Sequence, residues 1–378
     1  LKVAIAETPI ISSPMKKILL LADATSSHTQ KWAEALITLG FDVMIFSFSN
    51  PDDDRYDKLG IKLANDQKLI QDSQFVQSDL KKSSYIRHLS KLKKTIADYK
   101  PDLVHAHYAT SYGLMAALCG FRPYLISVWG SDVFDFPKRS FLHRTILKYN
   151  LSKAECIVSS SKVMAEEAKK YFKGKIVTIP FGIDLSLFRR KIIRDNVITI
   201  GIIKSMEDHY GIESLIKAFR LVKDRFPEKI LKLLLIGGGT KIEIYRKLVT
   251  ELEISDVTEF RGKIPQNLVP DAHNEIDIFV NPSVHESFGV SVLEASAIGN
   301  PVIVTNVGGL KEVVVDKLTG LIVDQGNDQE LAKAISYFVV NQEQIDIFGE
   351  MGRKFVSEKY DLKDVNKKIG ELYHTILN

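Results

Sequence analysis

Short apolar runs recur along the chain, each followed by a longer stretch whose apolar positions fall at helical spacing. Lys16–Ala22, reading KKILLLA, is the first with the continuous apolar character of a strand buried on both faces. Val43–Phe48, Leu103–Ala106, Tyr124–Val128, Cys156–Ser159 and Ile176–Ile179 continue the series. The rhythm then restarts with Val197–Ile203, Leu231–Ile236, Ile276–Asn281, Val302–Thr305 and Gly320–Val323, separated by segments such as Glu213–Lys223. Parallel strands need helical crossovers, so this alternation predicts an α/β protein of two doubly wound, Rossmann-like domains.

The break falls over Pro180–Arg194, where Pro-Phe-Gly-Ile-Asp184 precedes the basic run Arg189, Arg190, Lys191. The expected domains are 15–185 and 195–360. Residues 361–378 add an amphipathic helix, Leu362–Leu377, able to pack back on the first domain or on the second. Because the first strand pattern follows Met15 directly, residues 1–14 are expected to be a leader ahead of the native start. A length of 378 residues suits two cores, and 45% hydrophobic with 26% charged residues excludes extended disorder. No uncharged apolar run is long enough to span a membrane and no secretory signal pattern opens the chain, so a cytoplasmic location is expected. Cys119 and Cys156 lack metal-ligand spacing and read as buried thiols. Residues 1–190 carry 28 Lys+Arg against 19 Asp+Glu, and the remainder 23 against 28. The basic first half suggests an anionic partner or surface, but the total of +4 is too small to indicate nucleic acid.

Doubly wound sheets bind ligands beyond the carboxyl ends of their strands. The most informative such loop is Asn281–Pro301, which reads as strand end, loop, helix and next strand. Ser287, Phe288, Gly289 and Val290 form the expected helix start, where free N–H groups favour a phosphate. Glu286 stands before it and Glu294 one turn inside, so two carboxylates can flank a ligand or simply be solvated. After Val197–Ile203 the loop Lys204-Ser-Met-Glu-Asp-His209 offers cations. Asp52-Asp-Asp54 reads as a solvated turn. Gly237-Gly-Gly239 lacks the spacing of a dinucleotide fingerprint and reads as a tight strand-to-helix turn.

Glu286 and Glu294, seven residues apart within SVHESFGVSVLEASAIGNPVI, resemble the E-x7-E signature of the retaining family 4 glycosyltransferases of GT-B fold. Further similarity lies in Asp102–His107, Ile179–Asp184, Leu234–Gly239, Phe260–Ile264, Asn306–Gly309 with Glu312, and Leu318–Leu321. The resemblance implies two domains facing a central cleft, with the acceptor on the first and a nucleotide diphosphate sugar on the second. On the donor side it implies Glu294 at the ribose, Glu286 at the sugar, Ser287 through Val290 at the distal phosphate, and Gly237 and Ile264 beside the donor. Lys204 takes the place of the usual Arg and His209 stands near the usual Lys. Trp129-Gly-Ser-Asp132 lies where many relatives have His-Gly-x-Asp, so Trp129 either stacks on a sugar or fills core, while Gly130 and Asp132 can cover the missing histidine. Ser27 can cap the helix after the first strand, expected to start near Lys31, and His28 can be an acceptor-side group or base; an N-cap with a surface histidine explains both equally. His107, with His105, is structural or acceptor-lining. No metal and no cofactor are implied.

The expected function is transfer of a hexose or N-acetylhexosamine, from a UDP-sugar, to a hydroxyl of a glycan or polyprenyl-diphosphate-linked acceptor in cell-surface polysaccharide biosynthesis. The alternatives are a nucleotide-sugar epimerase, a phosphorylase, or a degenerate nucleotide-sugar-binding scaffold. Lys81–Lys100 holds seven basic residues and one acidic, with Ile86, Leu89, Leu92 and Ile96 at helical spacing. It suggests peripheral contact with the anionic inner face of the membrane, or else a packed helix with a solvated basic face.

Overall fold

The computed structural model describes residues 15–64, 82–191 and 196–378, with side chains given from residue 88 in the helix Lys82–Tyr99. Among the described residues, thirteen strands form two all-parallel sheets. The first contains β1 (Lys17–Leu21), β2 (Asp42–Phe46), β3 (Lys62–Ala64), β4 (Leu103–His107), β5 (Tyr124–Val128), β6 (Cys156–Ser159) and β7 (Ile176–Thr178), in the order β3-β2-β1-β4-β5-β6-β7. The second contains β8 (Val197–Ile203), β9 (Ile230–Ile236), β10 (Thr258–Gly262), β11 (Ile278–Asn281), β12 (Val302–Thr305) and β13 (Gly320–Val323), ordered β10-β9-β8-β11-β12-β13. Strand order reverses between β1 and β4 and between β8 and β11, which makes the carboxyl ends of these strands the natural binding crevices.

Side chains alternate across the first sheet. Leu19 and Leu21 face one core with Ile126 and Val104, while Ile18 and Leu20 face another with Trp32 and Leu36. This second core is completed by the last helix of the chain, Leu362–Leu377, through Val365, Ile369, Leu372 and Tyr373. Trp32 Nε1 donates to the Tyr373 hydroxyl at 3.0 Å. That hydroxyl lies 2.5 Å from His105 Nδ1, and His105 Nε2 lies 2.8 Å from Ser127 Oγ. A neutral His105 accepts from Tyr373 and donates to Ser127, and burial holds its pKa well below the ordinary value. His105 is therefore a structural relay.

The two crossings between the lobes are tied to each other. Ile183 N donates to Tyr360 O at 2.8 Å, and Leu362 N donates to Ile183 O at 3.0 Å. Gly182 makes this approach possible, since a Cβ there would stand 2.7 Å from Leu362 Cα.

Of the basic helix expected over Lys81–Lys100, Lys81 and the Ile86 side chain lie outside what is described. In the described part Leu92 is fully buried, and Leu89 and Ile96 pack against the core of the first lobe. In the described part the apolar stripe is used inside the protein. Among the described residues, no helix is long and apolar enough to cross a membrane.

The phenol of Tyr373 joins the last helix to the first lobe, so Tyr373→Phe leaves the Trp32 N–H and His105 without their buried partner. The expected cost is about 1–3 kcal/mol, read as a lower denaturation midpoint; an unchanged midpoint would show that the relay contributes nothing.

Candidate functional site

The loop between β11 and the helix Val290–Ile298 faces the first lobe. Its shape depends on glycines from a neighbouring turn. A Cβ on Gly308 would lie 1.9 Å from Glu286 O, and one on Gly309 would lie 2.4 Å from Ser287 O. Gly309 N donates to Glu286 O at 3.0 Å. The helix itself begins at Gly289, whose φ of +106° is left-handed, and no side chain caps its first turn. The first turn thus has no capping side chain and no acidic residue to compete with an anion.

Lys204, at the end of β8, reaches the same place. Its Nζ lies 2.5 Å from Glu286 Oε2 and 4.5 Å from the centre of the Tyr210 ring. The two side chains are only 15% and 11% exposed, so the pair is mostly withdrawn from water while bordering the cleft. Gly237 lets β9 approach: a Cβ there would lie 1.8 Å from Lys204 O. The main-chain oxygen of His209 accepts from Val284 N (2.9 Å) and His285 N (3.3 Å), tying the Lys204 loop to the Glu286 loop.

A cavity of about 450 Å³ lies between the lobes at this point, within the roughly 300–1,000 Å³ typical of ligand sites. Much of the wall comes from segments that follow a strand: the start of the helix after β1 gives His28, and the chain gives Trp129 after β5, Ser160 after β6, Lys204 and His209 after β8, and Glu286 through Val290 after β11. The first-lobe wall is aromatic. His28 stacks on Phe181 at 4.0 Å and meets Trp129 edge-on at 5.8 Å, and Phe181 meets Phe288 of the second lobe at 5.8 Å. Burial, then the charge of Lys31, lowers the His28 pKa to about 4, with Lys204 adding to and Glu294 opposing the effect. His28 is neutral at pH 7, and its buried Nδ1 has no protein partner.

Several residues singled out in the sequence are placed differently. Asp132 is fully buried and turned from the cavity, accepting from Ala109 N (2.8 Å), Gly130 N (2.8 Å) and Trp129 N (3.1 Å). Desolvation raises its pKa against the pull of these donors, and its work is to shape the Trp129–Gly130 turn. Gly130, at φ +135°, then touches the second lobe: a Cβ there would overlap Ser287 Oγ at 2.0 Å. His107 is buried beneath Trp129, with ring centres 5.1 Å apart, and burial lowers its pKa to about 3. It lines no part of the cavity. The cap of the helix Ser27–Thr38 is Ser26, which accepts from His28 N; Ser27 is already helical, four residues ahead of the expected start at Lys31. Glu294 is 6% exposed, with Oε2 3.6 Å from His273 Nε2, and Gly237 and Ile264 also lie off the cavity wall, packed inside the second lobe. Phe181, Tyr210 and Ser160 line the cavity without having been assigned to it; each signal was an unremarkable residue at a strand end.

Glu312 supplies a contact that no local pattern announces. From the second lobe its carboxylate accepts from Lys162 N (2.9 Å) and Val163 N (2.7 Å), at the start of the first-lobe helix Lys162–Lys169. An acid at a helix start satisfies free N–H groups and the macrodipole together. Here it clasps the lobes beside the cavity.

Two family models match the chain: "Glycosyl transferase 4-like" over residues 17–161 and "Glycosyl transferases group 1" over residues 186–355. An uncharacterized glycosyltransferase of Methanocaldococcus jannaschii is 26% identical, over 78% of this chain and 81% of that protein. CapM of Staphylococcus aureus, a capsular polysaccharide biosynthesis glycosyltransferase, is 29% identical over 50% of this chain and 48% of its own. In fold, the chain is similar to Anabaena HepE, solved in complex with UDP and glucose: TM-score 0.76, 18% identity, 95% of this chain and 100% of the other.

If Glu312 clasps the lobes, Glu312→Ala removes two charge-assisted bonds worth about 1–2 kcal/mol. The distance distribution between spin labels placed on either side of the cleft is expected to broaden and lengthen; an unaltered distribution would contradict the clasp.

Proposed function

The chain belongs to the group 1, family 4-like glycosyltransferases, and on that premise we propose that it transfers a hexose or N-acetylhexosamine from a UDP-sugar to an acceptor hydroxyl, with retention of anomeric configuration. The observation that carries this reading is the Lys204–Glu286 pair set against an uncapped helix start inside an interlobe cavity. A leaving nucleotide diphosphate gains negative charge as the glycosidic bond breaks. Positive groups fixed where that charge develops lower the barrier more than they favour the bound substrate. Lys204 and the N–H groups of the Val290 helix start are such groups.

Donor binding exchanges partners. The diphosphate draws Lys204 from Glu286, and the freed carboxylate, a planar two-oxygen acceptor, takes hydroxyls of the donor sugar. The ribose is assigned to Glu294 Oε1, the oxygen not facing His273. The acceptor enters along the aromatic first-lobe wall, where Trp129, Phe181 and the neutral His28 ring offer faces to a sugar.

In the transfer the C1–O bond to phosphate breaks and the C1–O bond to the acceptor forms on the same face. The acceptor proton passes to the departing phosphate oxygen. His28, with its pKa near 4, is too weak a base at neutral pH to be required for this step. The reaction as proposed runs without a metal ion, because Lys204 and the helix start supply the positive charge. HepE, complexed with UDP and glucose, supports a UDP-sugar donor, and CapM, named for capsular polysaccharide biosynthesis, supports a glycan acceptor. A polyprenyl-diphosphate-linked glycan at the inner membrane face is the form of acceptor we propose.

A panel of UDP-sugars tests the reading. One is expected to support transfer, and Lys204→Ala is expected to lower kcat/KM by about 100-fold, with Glu286→Gln also strongly impaired. Both variants within twofold of the unaltered protein would remove the donor site described, and release of a free epimer without transfer would replace it with an epimerase.

A further inference from the structure

The first lobe buries nearly all its large apolar side chains, with one conspicuous exception on the helix Phe141–Ser152. This helix turns Leu147, Asn150 and Leu151 inward. Outward it shows Phe141, 85% exposed, Leu142, 63% exposed, and Tyr149, 40% exposed. Phe141 is the most exposed large apolar side chain among the described residues. At 3.6 residues per turn Leu142, Thr145 and Tyr149 lie along one outward stripe that Phe141 continues at the helix start. Ordinary surface helices show the reverse arrangement.

Between Asp135 and Glu155 the charge along the chain is of one sign. From Phe136 to Ala154 the chain carries Lys138, Arg139, Arg144, Lys148 and Lys153 and no Asp or Glu. Arg144 rests over the Tyr171 ring at 5.9 Å and Lys153 over the Tyr149 ring at 5.5 Å. Among the described residues none of the five is paired with a carboxylate. The helix is held firmly, packed beside the helix Ser111–Cys119 and capped by Ser140, which accepts from His143 N. The exposed stripe is therefore a built surface. Immediately before it, Ser131, Phe134 and Asp135 line the interlobe cavity.

We propose that the helix Phe141–Ser152, with Lys138 and Arg139 ahead of it, docks the first lobe on an anionic lipid bilayer, Phe141 and Leu142 entering the interface and the cations meeting headgroups. Apolar side chains flanked by unpaired cations fit a surface that is apolar beneath and negatively charged above. The basic helix Lys82–Tyr99, whose described apolar stripe is buried in the core, does not have that combination. Docking here sets the cavity rim beside the headgroups, where a lipid-linked acceptor would be presented. That last consequence rests on the proposed transferase reading, whereas the docking itself does not.

The test uses the full chain sedimented with vesicles of phosphatidylcholine alone and with about one third phosphatidylglycerol. Binding is expected only to the anionic vesicles and is expected to weaken with added salt. Phe141→Ser with Leu142→Ser is expected to lower the partition coefficient about tenfold or more, and Lys138→Gln, Arg139→Gln, Arg144→Gln and Lys148→Gln together to a similar degree. Lys93→Gln with Lys94→Gln, on the other basic helix, is expected to stay within about twofold. These positions are exposed, and an unchanged melting temperature checks that each variant is folded. Protein that remains in solution with anionic vesicles at low salt would overturn the proposal, as would undiminished binding by the Phe141→Ser, Leu142→Ser variant. Self-association abolished by that variant, without vesicle binding, would assign the surface to a second copy and overturn it equally. UDP-sugar binding measured by calorimetry on the same samples separates this failure from failure of the donor site.

Discussion

An ammonium withdrawn from water needs a counter-charge, and among the described residues of the second lobe Lys204 finds Glu286 and the face of Tyr210. The rest of the site is arranged so that these two side chains can meet. Gly237 lets β9 lie against the Lys204 carbonyl, Gly308 and Gly309 let a turn slide beneath Glu286 and Ser287, and the His209 carbonyl ties the two loops together. None of these positions needs to touch a ligand. Each brings a charged side chain to the uncapped start of the Val290 helix, where a phosphate can exchange with the carboxylate as partner of Lys204.

The pair belongs to one lobe, but the cavity belongs to both. Contacts among the described residues hold the lobes in register: the paired backbone at Ile183 with Tyr360 and Leu362, the Gly130–Ser287 and Phe181–Phe288 contacts, and the Glu312 clasp on the helix Lys162–Lys169. The last helix joins in by completing the first lobe's core with Tyr373. The chain crosses between the lobes twice, at Ile183 and at Tyr360–Leu362, and the two crossings are bonded together.

Strands buried on both faces were legible because their composition is continuous: Tyr124–Val128, Cys156–Ser159, Val197–Ile203 and Val302–Thr305 lie where the apolar runs place them. Of the four edge strands, Ile176–Thr178 and Gly320–Val323 were legible because they keep apolar runs, whereas Lys62–Ala64 is only three residues long and TEFRG over Thr258–Gly262 carries the polar residues that an edge permits. The same division holds in the site. Glu286, Lys204 and Ser287 through Val290 were readable, since a strand end and a helix start are local features. Asp132 stands away from the cavity because the turn it clamps occupies its carboxylate, and of the two readings open for His107 the structural one holds, since Trp129 covers it. Glu312 and Phe181 act across the fold, through partners distant in sequence, which no local spacing encodes.

The central claim is that an anionic diphosphate takes Lys204 from Glu286 at the start of the Val290 helix. A crystal structure with UDP bound tests it most directly. The account predicts the β-phosphate within hydrogen-bond reach of Lys204 Nζ and of backbone N–H groups at Gly289 to Ser291, with Glu286 swung away. A diphosphate bound elsewhere, or one that leaves the Lys204–Glu286 pair intact, would contradict it.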